Sequence, residues 1–322
     1  MFTRRQTLLA LGGAAATLTL AGAASARAAA PITFRIGWQK NGVLALAKKT
    51  GALEKRLADR GVSIEWSEFS SGPPLLEALG AGALDFGPTG DVPPLFAQAA
   101  GGNLLYVGSY HGAAASSAIL VHKDSPIVSI ADLKGKKLAY KRGSSAHNFA
   151  VKALRTAKLT LDDVESVNLS PPDAAAAFTT NSIDAWVIWD PYLAVAEADP
   201  QARVLATAQG IVDAWSFYFG NGDFTKANPD IVADTIDELS KQGVWAQAHL
   251  DETIPALAEI TGVPADVTRK ILTRPGADLG KIDPISDQSL AYQQALADEF
   301  FGLGIIPKKL DIADIVWRPK AS

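Results

Sequence analysis

From residue 32 onward, short apolar runs rich in Val, Ile, Phe and Trp alternate with stretches whose apolar positions recur every three or four residues. The first spacing is that of strands, the second that of helices. Ile32–Trp38, Val62–Phe69, Leu84–Gly87, Leu104–Ser109, Ala118–His122, Lys137–Tyr140, Glu165–Leu169, Asp184–Trp189, Arg203–Ala206 and Phe217–Gly220 read as strands. Helical spacing marks Leu44–Asp59, Gly72–Gly80, Val92–Ala100, Ala146–Ala157 and Pro172–Thr180 between them. The last hundred residues change character. Asp230–Leu250, Glu252–Thr261, Ala265–Thr273 and Ser286–Leu303 are all helical patterns.

Alternation of this kind predicts an α/β fold. A helical cluster at the end of a chain usually packs on a domain begun earlier. The pattern therefore predicts a discontinuous first domain at 31–118 plus 221–322, with a second inserted at 119–220. Two strands would cross between them, near Ser117–Leu120 and Phe217–Gly220, leaving a hinge and a cleft. Clefts between domains are favoured ligand sites.

The first 28 residues stand apart from this pattern. Arg4-Arg5 precedes a weakly apolar stretch of Ala, Leu and Gly that ends in Ala24-Ser25-Ala26 and Ala26-Arg27-Ala28, small-residue sites for a signal peptidase. An Arg pair in that place is the mark of twin-arginine export, although it also fits the positive end of an ordinary secretory signal. Either route predicts an exported protein. The apolar run is too dilute for the ~20 strongly apolar residues of a membrane span.

Composition narrows the function further. The chain has no cysteine, which excludes disulfides, a cysteine nucleophile and thiolate metal ligands. It also removes a lipid-anchored N-terminus and so favours a Gram-negative periplasm. Net charge is −4, and loss of Arg4, Arg5 and Arg27 on cleavage takes it to −7. That balance argues against nucleic acid or an anionic membrane as partner. His111, His122, His147 and His249 are scattered, with no metal-ligand spacing. No Gly-x-Ser-x-Gly, HExxH or nucleotide-binding glycine loop is present, so no catalytic residue and no cofactor is assigned.

Three loops carry the chemistry, each joining a strand to a helix. Gly87-Pro88-Thr89-Gly90-Asp91-Val92-Pro93 places Asp91 to cap the helix that Pro93 helps start. Lys141-Arg142-Gly143-Ser144-Ser145-Ala146-His147 puts hydroxyls at a second helix start. Trp189-Asp190-Pro191-Tyr192 reads as a strand end, a cap and a proline at the first helical position. Helix N-termini bind anions because their first N–H groups lack intrahelical partners and the dipole adds about half a positive charge. Capping alone would also explain each loop taken singly. Among the aromatics, Trp38, Trp189 and Phe217 lie closest to the loops and are candidates for the cleft wall.

These segments resemble the aliphatic sulfonate-binding proteins, periplasmic components of ABC importers. The resemblance covers nearly all of the chain after the leader. It rests on Ile36-Gly37-Trp38-Gln39-Lys40, Ser71-Gly72-Pro73-Pro74-Leu75-Leu76-Glu77, Asp85-Phe86-Gly87 with Thr89-Gly90-Asp91, Lys123-Asp124-Ser125-Pro126-Ile127, Asp132-Leu133-Lys134-Gly135, Gly143-Ser144 with His147, and Asp184–Leu193. It implies a two-domain clamshell of the second periplasmic-binding type, with two mixed sheets. It also implies a ligand pocket at Gln39, Thr89, Gly90, Asp91, Gly143, Ser144, Ser145, His147, Trp189, Asp190 and Phe217. The expected partners are a small organic sulfonate and an inner-membrane permease, with the protein itself a monomer. The same fold binding taurine, nitrate or another small anion is the near alternative, and a desulfinase-like enzyme the distant one. Two segments depart from the usual pattern: His111–Ser117 and Val212–Ser216, both at the expected crossings.

Overall fold

The computed structural model describes residues 32–318, so the export segment at 1–28 lies outside the described residues. The first half of the chain runs β1 (Ile32–Trp38), α1 (Gly42–Thr50), α2 (Ala52–Leu57), β2 (Val62–Glu68), α3 (Gly72–Gly80), β3 (Phe86–Gly90), α4 (Pro93–Ala99) and β4 (Leu104–His111). Next come β5 (Ser117–His122), β6 (Lys137–Tyr140), α5 (Ser145–Thr156), β7 (Glu165–Asn168), α6 (Pro171–Thr179), β8 (Ala185–Trp189), α7 (Tyr192–Glu197) and β9 (Ala202–Thr207). The chain ends with β10 (Trp215–Asn221), α8 (Gly222–Ala227), α9 (Pro229–Ala248), α10 (Leu250–Thr261), α11 (Ala265–Leu272) and α12 (Asp287–Gly302). The expected single helix over 44–59 is two. Gly51 takes a left-handed φ of 64°, which ends α1 and turns the chain into α2.

Two five-stranded mixed sheets result, ordered β2-β1-β3-β10-β4 and β7-β6-β8-β5-β9. The two orders are equivalent: three parallel strands, then an antiparallel strand, then an edge strand. In each sheet the antiparallel strand is the one that arrives directly from the other. β5 follows the linker 112–116 and β10 follows the linker 208–214. β10 pairs along its whole length with β3 and β4, so the return to the first sheet precedes 215 rather than falling near 217–220.

Helices cover both faces of both sheets, which is why the strands read as nearly continuous apolar runs. Alternate residues of one strand serve different cores. Phe217 and Phe219 face α3, α4 and α12, whereas Tyr218 faces the core under α1, α2 and α9. In the second sheet Ala185 and Val187 face one layer, and Trp186 and Ile188 the other. The strands deliver their C-terminal ends, and the helix starts that follow, to the space between the sheets. No helix among the described residues is long and apolar enough to cross a membrane.

Candidate functional site

A cavity of about 240 Å³ opens between the two sheets. Gln39, Asn41, Gly42, Gly72, Thr89, Gly90 and Asp91 wall it from the first sheet, and Ser144, Ser145, Trp189 and Asp190 from the second. Three helices begin at this wall. α1 starts at Asn41-Gly42, α3 at Ser71-Gly72 and α5 at Ser144-Ser145, and none has a side chain bonded to its first N–H groups. Ser71 Oγ is buried with no partner. The cavity wall therefore presents backbone N–H groups that no side chain claims, while the Ser144 and Thr89 hydroxyls already donate to the Lys141 and Gly90 carbonyls at 2.7 and 3.0 Å.

Among the described residues no Lys, Arg or His lines the cavity, whereas three carboxylates do: Asp91, Asp190 and Asp278. Asp91 is not the helix cap expected from sequence. The capping position of α4 is Val92, and Asp91 turns toward α5 and α12. Its Oδ2 accepts from Asn148 Nδ2 and from the Tyr292 hydroxyl, each at 2.7 Å, while its Oδ1 is buried without a donor. Burial, then the Asp91 carboxylate, drives the Tyr292 hydroxyl pKa upward and keeps it protonated as a donor.

Pro191, not Asp190, takes the capping position of α7, which starts at Tyr192, although Asp190 accepts the Ala194 N–H in its first turn at 3.0 Å. Its stronger partner is Arg274, just beyond α11, with Nε on Oδ2 at 2.5 Å and Nη2 on Oδ1 at 3.0 Å. Nη2 also donates to Glu197 at 2.6 Å, and Lys270 reaches Glu197 at 2.9 Å. Burial pushes the Asp190 carboxyl above its usual range, against the pull of Arg274. Nothing local in the sequence marks Arg274, which lies 84 residues from Asp190.

Gly143, His147 and Phe217 do not line the cavity. Gly143 adopts φ 78° in the turn before α5, with its Cα facing the Phe96 ring. His147 is buried between Tyr140, Phe96 and Phe300, and its Nδ1 accepts the Gly143 N–H at 3.3 Å. Burial, aided by Arg142, pulls its pKa down to about 4, so the ring is neutral. Phe217 lies in the core against Tyr106, one repeat further along β10 than Trp215 on the same strand face, and Trp215 and Ser216, at the start of the strand, form the wall there. Trp38 is likewise buried in the first core. Part of the lining is apolar: Val212 and Trp215, from the segment expected at the second crossing, with Tyr110, Ile271, Leu272 and Leu279, which no sequence motif marks.

A family model described as NMT1/THI5 like matches residues 57–252. The aliphatic sulfonates-binding protein of Escherichia coli (strain K12) is 39% identical over 313 residues, spanning 97% of this chain and 96% of that one. This chain belongs to the aliphatic sulfonate-binding protein family. Its fold is correspondingly close to solved members. The alkanesulfonate-binding protein SsuA from Xanthomonas axonopodis pv. citri, bound to MOPS, superposes with a TM-score of 0.84 at 38% identity, covering 90% of this chain and 99% of that chain. The periplasmic aliphatic sulphonate binding protein SsuA from Escherichia coli gives 0.79 at 38% identity, covering 91% and 94%. These family members are binding proteins rather than enzymes. The two-sheet α/β architecture expected from sequence is the family's own.

Proposed function

We propose that this protein is the periplasmic substrate-binding component of an ABC importer and that it holds a sulfonate anion in the cavity between its sheets. The observation that carries the reading is the convergence of three helix starts, with their N–H groups unclaimed by side chains, on a wall that also presents Thr89, Ser144 and Ser145. A sulfonate is a monoanion at any physiological pH, so N–H and O–H donors suffice to hold it, and such charge-assisted bonds are about twice as strong as neutral ones. Gln39, Thr89, Gly90, Ser144 and Ser145 take the headgroup. Trp189, Trp215 and the other apolar residues of the lining take the tail. The MOPS held by the Xanthomonas relative is a sulfonate with a bulky tail, in keeping with a cavity of this shape. The ligand is released unchanged to a permease, and the protein works as an exported monomer.

Calorimetric titration with ethane- to decanesulfonate tests this directly. One-site binding is expected, and removing both hydroxyls (Ser144→Ala with Ser145→Ala) should weaken it at least tenfold, about 1.4 kcal/mol. Silence toward the whole series overturns the reading. One observation favours a variant of it: Asp91 lines the cavity and its buried Oδ1 has no donor, so a small turn of this side chain would offer an acceptor to the ammonium of a zwitterionic sulfonate. Asp91→Asn would then weaken taurine far more than pentanesulfonate.

A further inference from the structure

An anion site walled by carboxylates poses an electrostatic problem. Two of the three cavity carboxylates, Asp91 and Asp190, are almost wholly buried, and a buried charge interacts far more strongly with a ligand than an exposed one. Asp91 is stabilised by neutral donors from Asn148 and Tyr292. Asp190 alone has a cation. The Arg274 side chain is 10% exposed and that of Asp190 5%, and two N–H groups of the guanidinium engage both carboxylate oxygens. Planar, two-point pairing of this kind fixes orientation as well as charge.

The surroundings hold the guanidinium in place. Its Nη2 is shared with Glu197, which Lys270 balances in turn, and Ala194, Val263 and Val267 with Ile271 form an apolar cluster that joins α7 to α11. Arg274 lies two residues beyond α11, and Ile271 and Leu272 of that helix line the cavity. The arginine thus reaches Asp190 from behind the wall and does not enter the cavity.

We propose that Arg274 is a specificity-determining positioning residue: by pairing Asp190 it removes a negative charge from the cavity wall, so that this wall admits an anion and gives a ligand ammonium no acceptor. The inference rests on the reading of the site as a sulfonate site. It leaves Asp91 Oδ1 as a buried carboxylate oxygen without a donor.

Pentane-1-sulfonate and taurine, titrated calorimetrically into the full mature protein, decide it. Arg274→Met strands a buried charge at the wall, and pentanesulfonate affinity should fall at least 30-fold, about 2 kcal/mol. Taurine should lose less, because its ammonium gains Asp190. Adding Asp190→Asn to Arg274→Met should recover most of the pentanesulfonate affinity. Arg274→Lys, which keeps the charge without the fork, should stay within tenfold of the parent protein and supplies the answer if the Met variant does not fold. The proposal is overturned if Arg274→Met binds pentanesulfonate within threefold of the parent, or if the double variant is as weak as the single one, since Arg274 would then act only as a strap between α7 and α11. A parent protein that binds no sulfonate removes the ligand reading and this inference with it, a result distinct from the other two.

Discussion

His147 shows how far a residue's role depends on which side of a wall it occupies. Its position at the end of the donor-rich Lys141–His147 segment suggests a ligand contact, yet its ring fills the space between Phe96, Tyr140 and Phe300 and is neutral. A folded-state pKa of about 4 against an unfolded value of 6.5 means that the unfolded chain binds the proton first. Stability from this group is therefore complete above pH 6.5 and is lost as pH falls from 6.5 toward 4, by about 3 kcal/mol in all. Urea unfolding at pH 7.5 and pH 4.5 should show this loss in the parent protein and a smaller one in His147→Gln. Equal losses in the two proteins would contradict the assignment. Phe217 teaches the same lesson from a strand: one repeat along β10 from Trp215 exchanges cavity wall for core.

At the scale of elements, the cavity depends on how closely α9 approaches the loop after α11. Gly243 lies mid-helix, and a Cβ built there would collide with the backbone carbonyls of Leu279 and Gly280. Leu279 and the neighbouring Ala277 and Asp278 line the cavity, so the helix glycine sets the position of part of its wall. Two effects compete in Gly243→Ala. Helix propensity gains about 1 kcal/mol, but the collision is with backbone, which cannot swing aside, and overpacking of this kind costs about 1–3 kcal/mol. The net expectation is a lower melting temperature together with weaker sulfonate binding. A melting temperature above that of the parent would show that the loop yields freely.

Across the whole molecule, the two layered sheets touch at a few defined points around the cavity mouth. Asp91 meets Asn148, Phe96 meets Gly143 and His147, Arg155 pairs Glu299 at 2.6 Å, and Gly90 abuts Ser145. Glycine is required at 90 for that last approach, since a Cβ there would run into the Ser145 hydroxyl. Loading of a ligand between the sheets by a hinge at the linkers 112–116 and 208–214 would be blocked by a crosslink between these contact points. With Gly90 and Ser145 both changed to Cys, the two Cβ atoms, 3.2 Å apart, need to separate by only a few tenths of an ångström to reach the ~3.5–4.5 Å of a disulfide. Because the chain has no other cysteine, Gly90→Cys with Ser145→Cys can form only this intramolecular crosslink. Oxidised without ligand, the double variant should bind no sulfonate, and reduction should bring back measurable binding, weaker than that of the parent because both positions wall the cavity. Unchanged binding after complete oxidation would mean that loading needs no opening between these loops.

The sequence by itself determined the alternation of strands and helices, the change to helices alone in the last hundred residues, and the donor-rich segments at Thr89, Ser144 and Asp190, although Thr89 lies on β3 rather than in a loop. Those are local properties: hydrophobic period, turn chemistry and capping residues act over a few positions, and they leave their mark in the order of the chain. Tertiary structure alone decided which loop residues face the cavity. Gln39, Thr89, Gly90, Asp91, Ser144, Ser145, Trp189 and Asp190 line it, and Gly143, His147 and Phe217 do not. It also brought in the apolar lining from Tyr110, Ile271, Leu272 and Leu279, and set Arg274 behind Asp190. Side-chain direction changes with each residue of a strand, and a buried ion pair joins positions that only the packing of α7 on α11 brings together. Neither can be read from spacing along the chain, because both are fixed by which surfaces exclude water from each other.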